Sequence, residues 1–164
     1  MRATPFPFMT LNLTLLTDCE EFILNSLLNE SVDVSTLSPL TLAFLGDTVF
    51  DLLVRSELVC EANRPVKELH SAASKRVCAG AQADGIRSIL DTLSEEELDV
   101  FKRGRNAHTG AIPKHASSAD YHYATGLESL FGWLYLKGET ERIIQLFGAV
   151  KKNREVGYEQ KEIS

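Results

Sequence analysis

The chain has 164 residues, 44% of them apolar and 24% charged, with a formal net charge of −6. That length suits one domain with a single sizeable core, and the acidic balance excludes a protein that coats nucleic acid non-specifically, while leaving room for local basic patches. The cysteines, Cys19, Cys60 and Cys78, show neither zinc-ligand spacing nor a disulfide framework, and no apolar run approaches the roughly 20 residues that span a bilayer.

The opening "MRATPFPFMTLNLTLLT" is acid-free and hydroxyl-rich, as organelle transit peptides are. It carries a single arginine and is interrupted by prolines, so it reads as an N-terminal extension, and the unpaired thiols favour a reducing compartment, the bacterial cytoplasm. Helical period then dominates. "DCEEFILNSLLNE" predicts a first helix, and residues 1–36 form the extension. "LSPLTLAFLGDTVFDLLVRSEL" predicts a second, with Ser38 as its cap and Pro39 at the first helical position. Pro65 opens another, expected to run unbroken through "VKELHSAASKRVCAGAQADGIRSIL". In "SEEELDVFKRG", Ser94 caps, Glu97 completes a capping box, and Gly104 is the expected stop. A loop, "RNAHTGAIPKHASSAD", precedes the apolar helix "YHYATGLESLFGWLYLKG", which Gly138 ends. "ETERIIQLFGAVKKN" gives an amphipathic last helix, and residues 151–164 read as a polar, frayed tail. The class is all-α, with residues 37–150 as the functional domain.

The apolar helices carry the chemistry. Asp47 and Asp51 lie one turn apart in an otherwise greasy run, with Arg55 a further turn on. Glu128 is likewise the one acid among Leu127, Leu130, Phe131, Trp133 and Leu134. Burying such a carboxylate is costly unless it is paired, hydrogen-bonded or bound to a cation; an ion pair with Arg55 is the structural alternative. Gly46 and Gly132 flank the acids, and glycine within a helix costs about 1 kcal/mol against alanine. Helices crossing at these glycines would bring Asp47 and Glu128 together. Converging carboxylates without basic partners form a hard-oxygen site suited to Mg²⁺ that keeps several waters, as phosphodiester hydrolysis requires.

"KRGRNAHTGAIPKH" supplies a polyanion surface: Arg103, Arg105, Asn106 and Lys114 sit in a segment without any acid. Arg64, Lys67, Lys75 and Arg76 form a second basic cluster along the helix that begins at Pro65. His70, His108, His115 and His122 are scattered, and there is no nucleophile elbow or P-loop.

These motifs resemble a known family. "LAFLGDTVFDLLVR" is similar to the signature helix of ribonuclease III, "YATGLESLFGWLYL" to its second metal-binding helix, and "KRGRNA", "PK" and "YHYATGLESL" to the Mini-ribonuclease III branch, which lacks the double-stranded-RNA-binding domain. The resemblance spans residues 37 to about 150. It departs from the longer enzymes where Leu40, Ala43 and Thr125 replace acids, as in the Mini form, which keeps the acids here carried by Asp47 and Glu128. Asp51 stands where the Mini form commonly has an acid, as an outer ligand or as the partner of Arg55. The resemblance implies a ribonuclease III-like helical bundle working as a homodimer. It implies endonucleolytic cleavage of double-stranded RNA with Mg²⁺, or Mn²⁺ in its place, and a ribosomal-RNA precursor as substrate. An inactive RNA-binding or ribosome-associated module of the same fold is the alternative.

Overall fold

The computed structural model describes residues 32–107 and 117–162, with side chains as far as Lys151. The predicted first helix, Cys19, His108, Lys114 and His115 lie outside the described residues. The chain divides into compact units at Met1–Asp33 and Val34–Ser164, and the second holds everything that follows. Its helices are α1 (Pro39–Glu61), α2 (Val66–Val77), α3 (Ala79–Arg87), α4 (Glu95–Arg105), α5 (Ser118–Leu136) and α6 (Thr140–Glu162), with short 3₁₀ turns at Val34–Thr36 and Leu90–Thr92. No strand occurs among the described residues, so the unit is all-α.

Local signals set the helix starts. The Ser38 hydroxyl accepts from the Thr41 amide at 3.1 Å, ahead of Pro39. Ser94 and Glu97 complete the capping box, the Ser94 amide donating to Glu97 Oε2 at 2.8 Å. That box then acquires a long-range partner: Arg142 of α6 grips both oxygens of Glu97, at 2.7 and 2.8 Å, and donates to the Thr92 carbonyl at 3.0 Å. This forked pair holds the Glu97 carboxyl below the usual range despite its burial. It ties α6 to the start of α4.

The structure corrects three expected boundaries. The segment after Pro65 is two helices, because Cys78 is extended (φ −67°, ψ 152°). The bend lets α3 bury Ala83 and Ile86 completely, a gain of burial that overrides local helical tendency. Gly104 is no stop: α4 passes through it against Ser129 and Thr125 of α5 and ends at Arg105, where Asn106 caps. The C-terminal segment stays helical to Glu162 rather than fraying.

α5 is the central helix. Leu127, Leu130 and Phe131 are fully buried, and α1, α3, α4 and α6 all pack on it. Phe50 of α1 meets Phe131 and Phe147 edge-on, with ring centroids 5.5 and 5.6 Å away, a favourable aromatic geometry. Ser129, buried in this core, is satisfied by donating to the Pro39 and Thr125 carbonyls at 2.9 and 2.8 Å. The central helix is therefore gripped on several sides, and whatever it carries is held firmly. It carries Glu128.

Candidate active site

α1 and α5 touch backbone to backbone. A Cβ on Gly46 would overlap the Glu128 carbonyl and come within 2.7 Å of the Gly132 amide nitrogen, and one on Gly132 would overlap the Leu42 carbonyl. Only glycines permit this approach. Gly46 precedes Asp47, and Glu128 is itself a contact residue, so the crossing sets both carboxylates beside each other.

Their electrostatics record it. Burial, and then the charge of Asp47, push the Glu128 carboxyl up to about 7. The more exposed Asp47 is also raised, by burial and then by Asp51. Neither acid is paired with Lys or Arg among the described residues. The ion pair weighed for Glu128 is made elsewhere: Arg55 Nε donates to Asp51 Oδ2 at 2.6 Å. Asp51 Oδ1 is buried without a hydrogen-bond partner. No cluster of three or more His, Cys, Asp or Glu side chains suited to a metal occurs among the described residues. A donor set of two unneutralised carboxylates fits a small divalent cation that keeps most of its water, and does not fit a closed protein cage.

The raised carboxyl has a consequence for stability. The folded pKa of Glu128 lies above its unfolded value near 4.5, so its contribution is present in full below that pH and is lost as pH climbs through about 7. Glu128→Gln removes the penalty. The metal-free variant is expected to be more stable than the parent at pH 8, by about 1–2 kcal/mol once partial exposure is discounted, and equal to it near pH 4. Thermal melts in chelator at both values measure this; a less stable variant at pH 8 contradicts the electrostatic assignment.

The residues expected to contact polyanion fall in separate places. Arg105 and Asn106 line an open groove with Ala119, His122 and Tyr123, at the end of α4 and the start of α5. The Arg105 guanidinium lies 5.7 Å from the Tyr123 ring centre and 5.8 Å from that of Phe101, and donates to Asn106 Oδ1 at 3.2 Å. Arg103 bridges to Asp99 at 3.0 Å and is half exposed. Lys75 and Arg76 line a different cleft of about 560 Å³ with Phe50, Val54 and Phe147, which contains neither Asp47 nor Glu128. There the Arg76 charge is committed to Glu57 and Glu61, at 2.9 and 3.3 Å.

Sequence reasoning passed over Gln82. It is 1% exposed, its amide eases the charge of Glu128, and yet neither its Nε2 nor its Oε1 completes a hydrogen bond of ordinary geometry. Its one signal in the sequence was a polar residue between Ala81 and Ala83 on a small-residue helix.

The family model described as Ribonuclease III domain matches residues 40–139. A Mini-ribonuclease 3 from a Thermoanaerobacter species is 47% identical over 74% of this chain and 86% of its own length. The chain belongs to the Mini-ribonuclease 3 family. A Mini-ribonuclease 3 from Brevibacillus brevis is 45% identical over 70% of this chain and 85% of its own length. A crystal structure of a Fusobacterium nucleatum protein superposes with a TM-score of 0.68 at 30% identity, covering 76% of this chain and 99% of that one. Membership in the Mini-ribonuclease 3 family supports nuclease activity, a hydrolysis, in general terms. Thr125, which replaces an acid of the longer enzymes, is buried and donates to the Tyr121 carbonyl at 3.0 Å. Its hydroxyl is thus spent within its own helix. No helix among the described residues is long and apolar enough to cross a membrane.

Proposed function

We propose that the chain is a Mg²⁺-dependent endoribonuclease that cleaves double-stranded RNA, with Mn²⁺ able to substitute and a ribosomal-RNA precursor in the bacterial cytoplasm as its substrate. The observation that carries this reading is the crossing of α1 and α5, with two carboxylates beside it that lack basic partners. Asp47 and Glu128 would hold the cation; when bound, it polarises the scissile phosphate and makes water a competent nucleophile. Asp51, whose charge Arg55 meets at 2.6 Å, stands beside Asp47 as an outer ligand or as the partner of Arg55 alone. A-form RNA is recognised chiefly by shape and backbone, which assigns Arg105, Asn106 and Arg103, and in the same acid-free stretch of sequence Lys114, to the duplex backbone. Lys75 and Arg76 are a secondary surface, with Arg76 already neutralised.

A homodimer fits the same reading. One face of α1 leaves Phe44, Leu52 and Val59 exposed at 82%, 63% and 63%, an apolar stripe interrupted by the exposed Thr48 and Arg55, and exposed apolar surface of this kind marks interfaces. Paired copies would set their sites against opposite strands.

Long duplex RNA incubated with the full chain and Mg²⁺ should be cut, and should stay intact in chelator. Replacing Arg105 by Ala should weaken duplex retention in filter binding and reduce the salt slope by about one, without changing affinity for Mn²⁺. The absence of acids at Leu40, Ala43 and Thr125 favours the second reading, an RNA-binding module without catalysis. Uncut duplex under every condition would select it.

A further inference from the structure

Among the described residues Arg105 is the arginine that meets no carboxylate: Arg55, Arg64, Arg76, Arg87, Arg103 and Arg142 each bridge to one. No acid occurs in the sequence from Lys102 to Ala119, and the first beyond it, Asp120, is met by Arg87 at 2.7 Å. The Phe101 and Tyr123 rings hold the Arg105 charge in place at 5.8 and 5.7 Å. Its Nε donates to Asn106 Oδ1 at 3.2 Å, which occupies the acceptor of that amide and leaves its NH₂ group to donate.

The groove of about 380 Å³ that these residues share carries His122 on its α5 side. The imidazole spends nothing inside the protein. Nδ1 is buried without a hydrogen-bond partner, and Nε2, bonded to no described residue, reaches solvent. A proton on Nδ1 would be a buried donor without an acceptor, which favours the tautomer with its N–H at Nε2. A guanidinium, an amide NH₂ and an imidazole N–H thus line one groove with no unanswered acid among them. Such a donor set suits the oxygens of a phosphate.

We infer that this groove is a phosphate subsite for the RNA strand and that His122 is its third donor, beside Arg105 and Asn106. This deepens the proposed function and rests on the chain binding duplex RNA. Six residues of α5 separate His122 from Glu128, about 9 Å of helix rise. The phosphate held here is therefore a different one from that at the carboxylates, and His122 is a positioning residue that takes no part in bond breaking.

The test uses the full chain, His122→Phe, His122→Gln, Arg105→Ala, and the double variant combining Arg105→Ala with His122→Phe. Retention of long duplex RNA is measured by filter binding in Ca²⁺, beside melts and cleavage kinetics in Mg²⁺. Phe keeps a ring and removes both nitrogens, so the variant should be at least as heat-resistant as the parent. It should retain duplex about tenfold more weakly and raise KM by a similar factor, with kcat within about twofold and Mn²⁺ affinity unchanged. His122→Gln restores a donor and should recover most of that loss. The double variant should lose less than the product of the single losses, because both groups serve one phosphate. Duplexes ending in 5′-phosphate and in 5′-hydroxyl should be retained alike; a requirement for the terminal phosphate would put an RNA end in the groove and overturn the assignment to the strand. Parental retention by folded His122→Phe, losses that simply multiply, or failure of His122→Phe to fold each overturn the subsite. If the parent retains no duplex, the RNA-binding reading falls and this inference with it; if Arg105→Ala alone weakens retention, that reading stands and the role of His122 falls.

Discussion

Asp47→Asn is expected to fold, to retain duplex RNA, and to lose cleavage by about 10³-fold or more, equivalent to about 4 kcal/mol of transition-state stabilisation. The reasoning is electrostatic. Asn has the shape of Asp, and Asp47 is exposed with no salt-bridge partner to abandon, so nothing in the fold depends on its charge. The metal-free protein should gain slightly, because the raised pKa of Asp47 and its push on Glu128 both record repulsion. What disappears is one of the two charges available to a divalent ion. Single-turnover cleavage of duplex RNA, paired with filter binding in Ca²⁺, separates chemistry from retention. Undiminished cleavage would remove Asp47 from the site.

The second large effect lies in the backbone. Gly46→Ala adds one methyl group, but that methyl would overlap the Glu128 carbonyl and crowd the Gly132 amide at 2.7 Å, and neither can move without moving its helix. We expect a loss of about 3 kcal/mol or more, with activity reduced even where the protein remains folded, because separating α1 from α5 separates Asp47 from Glu128. Gly80→Ala is the control: nothing lies within 4 Å of its added carbon, so stability should be unchanged or slightly raised. Urea titrations of the two variants measure the contrast. Equal stability would mean that α1 and α5 do not touch through their main chains.

The parts of this architecture that were legible in sequence are those specified locally. Ser38 with Pro39, and Ser94 with Glu97, carry their caps within one turn of chain, and Gly138 closes α5 with a φ of 73°. The crossing was legible for a different reason. A glycine within one turn of an acid in an apolar helix violates two preferences at once, and both helices carry such a pair, Gly46 with Asp47 and Gly132 with Glu128. What escaped notice depends on distant partners. Arg142 reads as an ordinary surface charge until α6 delivers it to Glu97. The bend at Cys78 has no proline to announce it, being driven by where Ala83 and Ile86 must go. Gln82 looks unremarkable until the helix facing it proves to be the one bearing Glu128. Gly104 misled because a glycine near basic residues signals a terminus as readily as a close contact.

The wedging of the Glu128 main chain against Gly46 also bears on how the molecule wears out. A side chain rooted at this backbone-to-backbone seam, and proposed as a cation ligand, cannot loosen by the fraying that releases loops and chain ends. The backbone amide hydrogens around Glu128 should exchange with solvent only when the whole unit opens, so any nuclease activity built on this site ought to be lost and the domain ought to melt at one and the same temperature.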